Sequence, residues 1–203
     1  PVAVQAGVLA TLGVAGTAGA VGLFAHLALE LPWLESMLIG SVISSTDAAS
    51  VFSILRSKKL ALKHHTDSLL EMESGSNDPI SYMLTTVVLT MLAGRDLSLP
   101  LLLAKQLLLG AGGGLLLGAG AAWLLRQDLF SSQQSRTVCL FAVMLLAYAL
   151  PAVAGGNGYL SVYLCGIWLG NTNLVEKRYQ VYFFGVLTHV AQVLLFFLLG
   201  LLV

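Results

Sequence analysis

Long apolar runs separated by short polar segments make up this chain. The runs are too long and too uniform for barrel strands, which have about 10 residues of alternating polarity. A transmembrane α-helix needs roughly 20 apolar residues. The pattern therefore predicts an all-α membrane protein with about seven transmembrane helices. The predicted helical runs cover residues 2–29, 33–55, 67–94, 100–125, 137–154, 159–171 and 182 onward.

The composition supports a membrane protein, because 57% of the residues are hydrophobic and only 10% are charged. Soluble domains contain about 25% charged residues. The formal net charge of zero indicates no particular partner. The last apolar run continues to Val203 without a closing loop, and we expect the chain to be a fragment of a longer protein.

If the seven runs cross the membrane in alternating directions, the basic residues fall mostly on one side of it. Arg95 and Lys105 fall on one side, whereas the other side receives most of the cations. Cytoplasmic loops are rich in Lys and Arg, so the sorting predicts that loops 56–66, 126–136 and 172–181 are cytoplasmic. The cations on that side are Arg56, Lys58, Lys59, Lys63, Arg126, Arg136, Lys177 and Arg178.

The fourth run contains a stripe of small residues at Gly110, Gly114 and Gly118, which are four positions apart. Such spacing lets a neighbouring helix approach closely. We expect the stripe to pack a second helix of the same subunit, and a seam between two subunits is the alternative.

Two neighbouring runs contain acidic residues where lipid disfavours charge. The second run contains Thr46 and Asp47, and residues 73–79 of the third run read Glu-Ser-Gly-Ser-Asn-Asp-Pro. Ionised groups at membrane depth are costly and persist mainly where they pair, line water or bind an ion. By the helical rise, Asp47 lies about 13 Å and Asp78 about 16 Å from the inner ends of their runs. We expect both aspartates at one level, on adjacent antiparallel helices.

The backbone at both places is expected to be irregular. Residues 44–47 read Ser-Ser-Thr-Asp, which is typical of a helix N-cap and predicts a broken helix near 44–47. Pro79 has no N–H and clashes with the carbonyl of Gly75, which would leave that oxygen unpaired. Transporters use such breaks to expose helix ends to an ion. The predicted oxygen ligands are Thr46, Asp47, Ser74 and Asp78, with Asn77 beside them.

An oxygen-rich pocket of this kind suits a hard cation better than the metals that prefer thiolates or imidazoles. Removal from water favours the protonated form of a carboxylate, so a proton and a cation can compete for one site. This competition predicts a secondary transporter that exchanges a cation for protons by alternating access, and no enzyme activity. Glu73 lies on a different helical face from Asp78, which favours a structural ion pair.

Three alternatives stay open at this point. The acids could be purely structural, with Asp47 capping a helix and Asn77 bonding a neighbour. Two aspartates at one depth could form an intramembrane aspartyl protease dyad, which needs two carboxylates sharing a proton. The sequence contains no Gly-x-Gly-Asp element, which counts against the protease. A cation channel without proton coupling is the third alternative.

Residues 45–48 and 73–79 together resemble the paired signature of monovalent cation:proton antiporters of the NhaP kind, in the sodium/proton exchanger superfamily. The stretch 44–85 is similar to bacterial potassium/proton antiporters, also called cell volume regulation protein A. The resemblance implies an inverted-repeat antiporter bundle of about thirteen helices, usually a homodimer in the bacterial inner membrane. Residues 1–203 would be its central part, with terminal helices and any C-terminal regulatory domains outside the chain.

The resemblance also implies roles for individual residues. Those matching Thr46, Asp47, Ser74 and Asp78 form the ion site, with Asp78 as the main carrier of proton and cation. Asparagine at the position of Asn77 implies electroneutral exchange. The residue matching Glu73 pairs with an arginine on a later helix, for which this chain has no candidate. No cofactor is implied beyond the transported potassium or sodium and the proton, and no nucleic acid is expected as a partner.

Overall fold

The computed structural model describes residues 2–47, 51, 62, 66–94, 98–127, 132–174 and 177–202. Within these ranges the protein forms seven helices and no strand, which confirms the predicted all-α class. A π-helical turn at Leu9–Gly13 lies inside the first helix. The helices are α1 (Ala3–Ala28), α2 (Trp33–Ile43), α3 (Thr66–Leu92), α4 (Leu99–Arg126), α5 (Gln133–Val153), α6 (Gly158–Gly170) and α7 (Lys177–Leu202).

Helices α1, α4, α5 and α7 are each long and apolar enough to cross a membrane. Helix α3 has 27 residues and is long enough as well, but its middle is polar. Helices α2 and α6 have only 11 and 13 residues, which is short of the roughly 20 that a full crossing needs. Both short helices contact α3, so the two helices that are too short to cross this membrane protein's bilayer pack against the helix with the polar middle.

On one side of α3 lie α1 and α2, and their close approach depends on small residues. Ala6, Ala10 and Ala18 of α1 are buried. A Cβ atom on Gly40 of α2 would collide with the backbone carbonyl of Ala18, so the two backbones are in direct contact. The hydroxyl of Ser81 on α3 donates to the Ser41 carbonyl of α2 at 2.6 Å, which joins the third helix to this pair.

On the other side of α3, the glycine stripe of α4 packs against α6. A Cβ on Gly110 would lie 2.7 Å from the Asn157 carbonyl oxygen, and one on Gly114 would collide with the backbone of Ser161. Gly118 faces the next turn of α6, at Trp168. The stripe therefore packs two parallel helices of one chain, as expected, and its three glycines are buried in that contact.

Two predicted loops are shorter in the structure than in the sequence analysis. Helix α5 begins at Gln133, where the Ser132 side chain accepts a hydrogen bond from the Ser135 N–H at 3.2 Å. Helix α7 begins at Lys177 instead of near residue 182. The predicted bounds at 136 and 181 were wrong, because an apolar run marks only the part of a helix that suits hydrocarbon. Polar residues extend both helices beyond it.

The predicted break in the second run is confirmed. Helix α2 ends at Ile43, Ser44 caps it, and residues 45–47 have no helical assignment. The buried Ser44 hydroxyl donates back to the Ser41 carbonyl at 2.7 Å. Apart from Val51, which is helical, the predicted second half-helix lies outside the described residues.

Candidate functional site

The broken segment after α2 lies against the middle of α3. The main-chain carbonyl of Thr46 accepts hydrogen bonds from the Ser74 hydroxyl at 3.0 Å and from the Asn77 amide at 3.1 Å. In a continuous helix this carbonyl would accept from an N–H one turn later. The break thus makes a backbone oxygen available to α3, and two side chains of that helix bind it.

Asn77 is the centre of the cluster and has no solvent exposure. Its amide nitrogen also lies 2.6 Å from the Thr46 hydroxyl and 3.2 Å from a carboxylate oxygen of Glu73. Its carbonyl oxygen accepts from the Ser45 hydroxyl at 3.2 Å. Since a buried amide without partners would be costly, this set of contacts explains how a polar side chain is tolerated here.

Asp78 is adjacent to this amide and is exposed within the described part of the protein. One of its carboxylate oxygens accepts a hydrogen bond from the Ser45 hydroxyl. Asp47 is also exposed and follows Thr46 directly, at the end of a described range. The structure therefore places one predicted carboxylate in contact with the broken segment and the other beside it in sequence.

The structure brings Glu73 into the same cluster. Its carboxylate accepts from the Thr46 hydroxyl at 3.2 Å as well as from Asn77. We expected Glu73 on a different face from Asp78, paired with an arginine. Within the described ranges its hydrogen-bond partners are Thr46 and Asn77, so here Glu73 helps to hold the broken segment.

Two contributors were missed by the sequence analysis as site residues. Ser45 belongs to the motif at 45–48, but the local sequence does not distinguish it from Ser44. In the structure the Ser44 hydroxyl donates to a carbonyl of α2, whereas the Ser45 hydroxyl donates to Asp78 of α3. Asn157 lies in the segment between α5 and α6, and its amide donates to the carbonyl of Pro79 at 2.8 Å. In the sequence, Asn157 could be recognised as a helix N-cap from its place directly before Gly158 and α6, but nothing indicated its contact with α3.

A tyrosine from α6 supports the same stretch of α3. A Cβ on Gly75 would lie 2.7 Å from the ring of Tyr163, so only glycine lets the ring pack this closely. The Tyr163 hydroxyl lies 3.0 Å from the Ser76 hydroxyl and 3.3 Å from the Met72 carbonyl. The expectation of an irregular backbone at Pro79 was wrong, because helix α3 continues through that residue without a break. A proline removes one N–H from a helix without having to end it.

The groups that meet in the cluster are oxygens and one amide. The described residues contain no group of three or more His, Cys, Asp or Glu side chains placed to hold a metal ion. Carboxylate, hydroxyl and carbonyl oxygens are the ligands that hard cations prefer. The arrangement can therefore offer oxygen ligands to a hard cation and a carboxylate to a proton.

The sequence model described as "Sodium/hydrogen exchanger, transmembrane" matches residues 2–203. The chain is 39% identical to the K(+)/H(+) antiporter NhaP of Alkalimonas amylolytica, covering 98% of this chain and 35% of that protein. It is 38% identical to the K(+)/H(+) antiporter NhaP2 of Shewanella oneidensis, over 96% of this chain and 34% of the relative. The Na(+)/H(+) antiporter 1 of Methanocaldococcus jannaschii is 27% identical over 88% of this chain and 44% of the relative.

The chain thus spans about a third of the length of the first two of these relatives.

Proposed function

We propose, from the premise that this chain belongs to the sodium/hydrogen exchanger family and is of the NhaP type, that the whole protein exchanges potassium or sodium for protons across a membrane. Residues 1–203 would form the central part of its transmembrane domain. The observation that carries the proposal is the contact between the broken segment at Ser45 and Thr46 and the stretch 73–78 of α3. It joins the two parts of the chain that carry the paired aspartates.

The proposed mechanism is competition at one site. The cation binds oxygens of Thr46, Asp47, Ser74 and Asp78, and a proton on either carboxylate removes that ligand. The site then faces the two sides of the membrane in turn, so that a bound cation or a bound proton is carried across. Competition alone couples the two movements, and no cofactor or chemical step is required.

Electroneutral exchange is part of the proposal. Asn77 is neutral and fully buried, and its amide is engaged by Thr46 and Glu73. An asparagine there carries no proton of its own during transport, which leaves fewer titrating groups at the site. Glu73 keeps a structural role in the proposal, and the arginine that pairs with it would lie outside this chain.

The two K(+)/H(+) antiporters among the relatives favour potassium as the cation, whereas the archaeal relative is named for sodium. We further propose a homodimer in the bacterial inner membrane with no nucleic acid partner. The basic segments at 56–66, 126–136 and 172–181 would face the cytoplasm by the positive-inside rule.

The experiment that tests the proposal measures proton movement in proteoliposomes of the full-length protein, with potassium, sodium and lithium gradients applied in turn. We expect a potassium or sodium gradient to drive protons in the opposite direction. For electroneutral exchange the rate should stay the same when the membrane potential is clamped at different values.

Other outcomes would contradict the proposal. Cation current without proton movement would support a channel, and cleavage of added peptides that is lost on replacing either aspartate would support an aspartyl protease. A rate that rises with membrane potential would contradict electroneutrality while leaving antiport in place.

A further inference from the structure

Asn157 has no solvent exposure and lies at the N-terminus of α6. Its side-chain oxygen accepts a hydrogen bond from the Leu160 N–H at 3.0 Å, which is the usual bond of a helix N-cap. Asparagine is among the favoured N-cap residues, but serine and aspartate serve equally well there. Capping alone therefore does not explain why this residue is an asparagine.

The rest of the residue reaches two other helices. Its amide nitrogen donates to the Pro79 carbonyl of α3 at 2.8 Å, and its backbone N–H donates to the Gln106 carbonyl of α4 at 3.1 Å. Its backbone also packs against Gly110 of α4. One buried residue thus joins α3, α4 and α6.

The bond to α3 falls at the proline inside that helix. Pro79 follows Asp78 directly, and because proline has no N–H, one helix hydrogen bond is missing there. The side chain of Asn157 binds the backbone of the same residue from outside the helix. Pro79 is buried, so water does not compete for this bond.

We propose that Asn157 is a positioning residue for Asp78. It does not touch the carboxylate. It acts through the Pro79 carbonyl, by fixing the backbone that carries Asp78 to the packed pair of α4 and α6. This role rests on the proposed function, in which Asp78 binds the cation and the proton.

Loss of this one bond should change the binding of the cation more than its turnover. A net hydrogen bond contributes enough free energy to change an equilibrium constant roughly fivefold. With the bond removed, the carboxylate samples more orientations and the productive one is less populated. We expect the KM for the cation to rise roughly fivefold, with kcat within about twofold of wild type.

Asn157→Ser in the full-length protein tests the inference, because serine keeps the N-cap but is too short to reach the Pro79 carbonyl. Asn171→Ser is the matched control at the other end of α6, where the Asn171 amide donates to the Ile167 carbonyl of its own helix at 2.8 Å, its one side-chain hydrogen bond among the described residues. Cation-driven proton flux gives KM and kcat. Hydrogen–deuterium exchange of a peptide covering 74–84 gives the backbone protection of α3.

The expected result is a raised KM and faster exchange in 74–84 for Asn157→Ser, with both unchanged for Asn171→Ser. A wild-type KM and wild-type protection in Asn157→Ser would overturn the inference, as would equal effects of both variants. If the wild-type protein moved no protons under any cation gradient, the proposed function would fail. In that case unchanged protection of 74–84 would separately overturn the bond between Asn157 and α3.

Discussion

At the scale of single residues, the amide of Asn77 shows how the site is held together. It bridges the broken segment and α3 through Thr46 and also engages Glu73 within α3. An aspartate at position 77 would have no N–H to donate to Thr46 and Glu73. It would also place a second carboxylate beside that of Glu73. Buried groups left without a partner cost about 1–3 kcal/mol each.

Asn77→Ala is predicted to lower the free energy of unfolding by about 2 kcal/mol, because the buried amide loses its hydrogen bonds to Thr46 and Glu73 and each such bond contributes about 1 kcal/mol. Denaturant unfolding of the full-length protein in detergent measures the change. Asn171→Ala removes an exposed amide that, among the residues the structure describes, bonds within its own helix, and it should stay within about 0.5 kcal/mol of wild type. Equal losses for the two variants would contradict a central role for Asn77.

Sequence reasoning could identify the polar residues of the site but not how they are paired. Acidic and hydroxyl residues inside apolar runs stand out by their cost in lipid, which is why Thr46, Ser74 and Asp78 were predicted. The choice of Ser45 over Ser44 depends on the direction in which the chain leaves α2, and the role of Asn157 depends on a contact across 78 positions of sequence. Neither is encoded in a local pattern.

At the scale of helices, the break after Ile43 and the glycine stripe of α4 were both predictable because each has a local cause. The sequence at 44–47 is typical of an N-cap, which favours the start of a new helix and so a break in the run. Glycines four apart lie on one face of a helix. The starts of α5 and α7 were not predictable from apolar runs, because both helices continue into polar residues.

The contact of α4 with α6 gives a paired test. Gly114→Ala would place a Cβ against the Ser161 backbone, so the helices must move apart; overpacking of this kind typically costs 1–3 kcal/mol. In the described part of the chain a Cβ on Gly112 meets nothing within 4 Å, so Gly112→Ala should raise stability by about 0.5–1 kcal/mol through helix propensity. Thermal unfolding of the two full-length variants should therefore shift in opposite directions.

A different outcome would favour the seam between subunits. If Gly114→Ala left the unfolding temperature unchanged but converted dimers to monomers in size-exclusion chromatography, the stripe would serve an interface with a second copy.

At the scale of the whole molecule, α3 is the helix around which the candidate site is built. It contacts α1, α2, α4 and α6, and it carries Asn77 and Asp78. Composition predicted the membrane class, and the seven apolar runs match the seven helices that the described residues form. The arrangement of helices around α3 depends on side-chain contacts between segments that are distant in sequence. The lengths of the apolar runs carry no information about these contacts.

Cation-dependent proton flux in proteoliposomes of full-length Asp78→Asn tests the role of Asp78 most directly. Asp67→Asn is the matched control, because Asp67 is an exposed aspartate in the first turn of the same helix. Asparagine at 78 keeps the size of the side chain but removes the negative charge and the bound proton. We expect Asp78→Asn to abolish the exchange while Asp67→Asn retains most of it. Exchange at the wild-type rate in Asp78→Asn would contradict the assignment of the site.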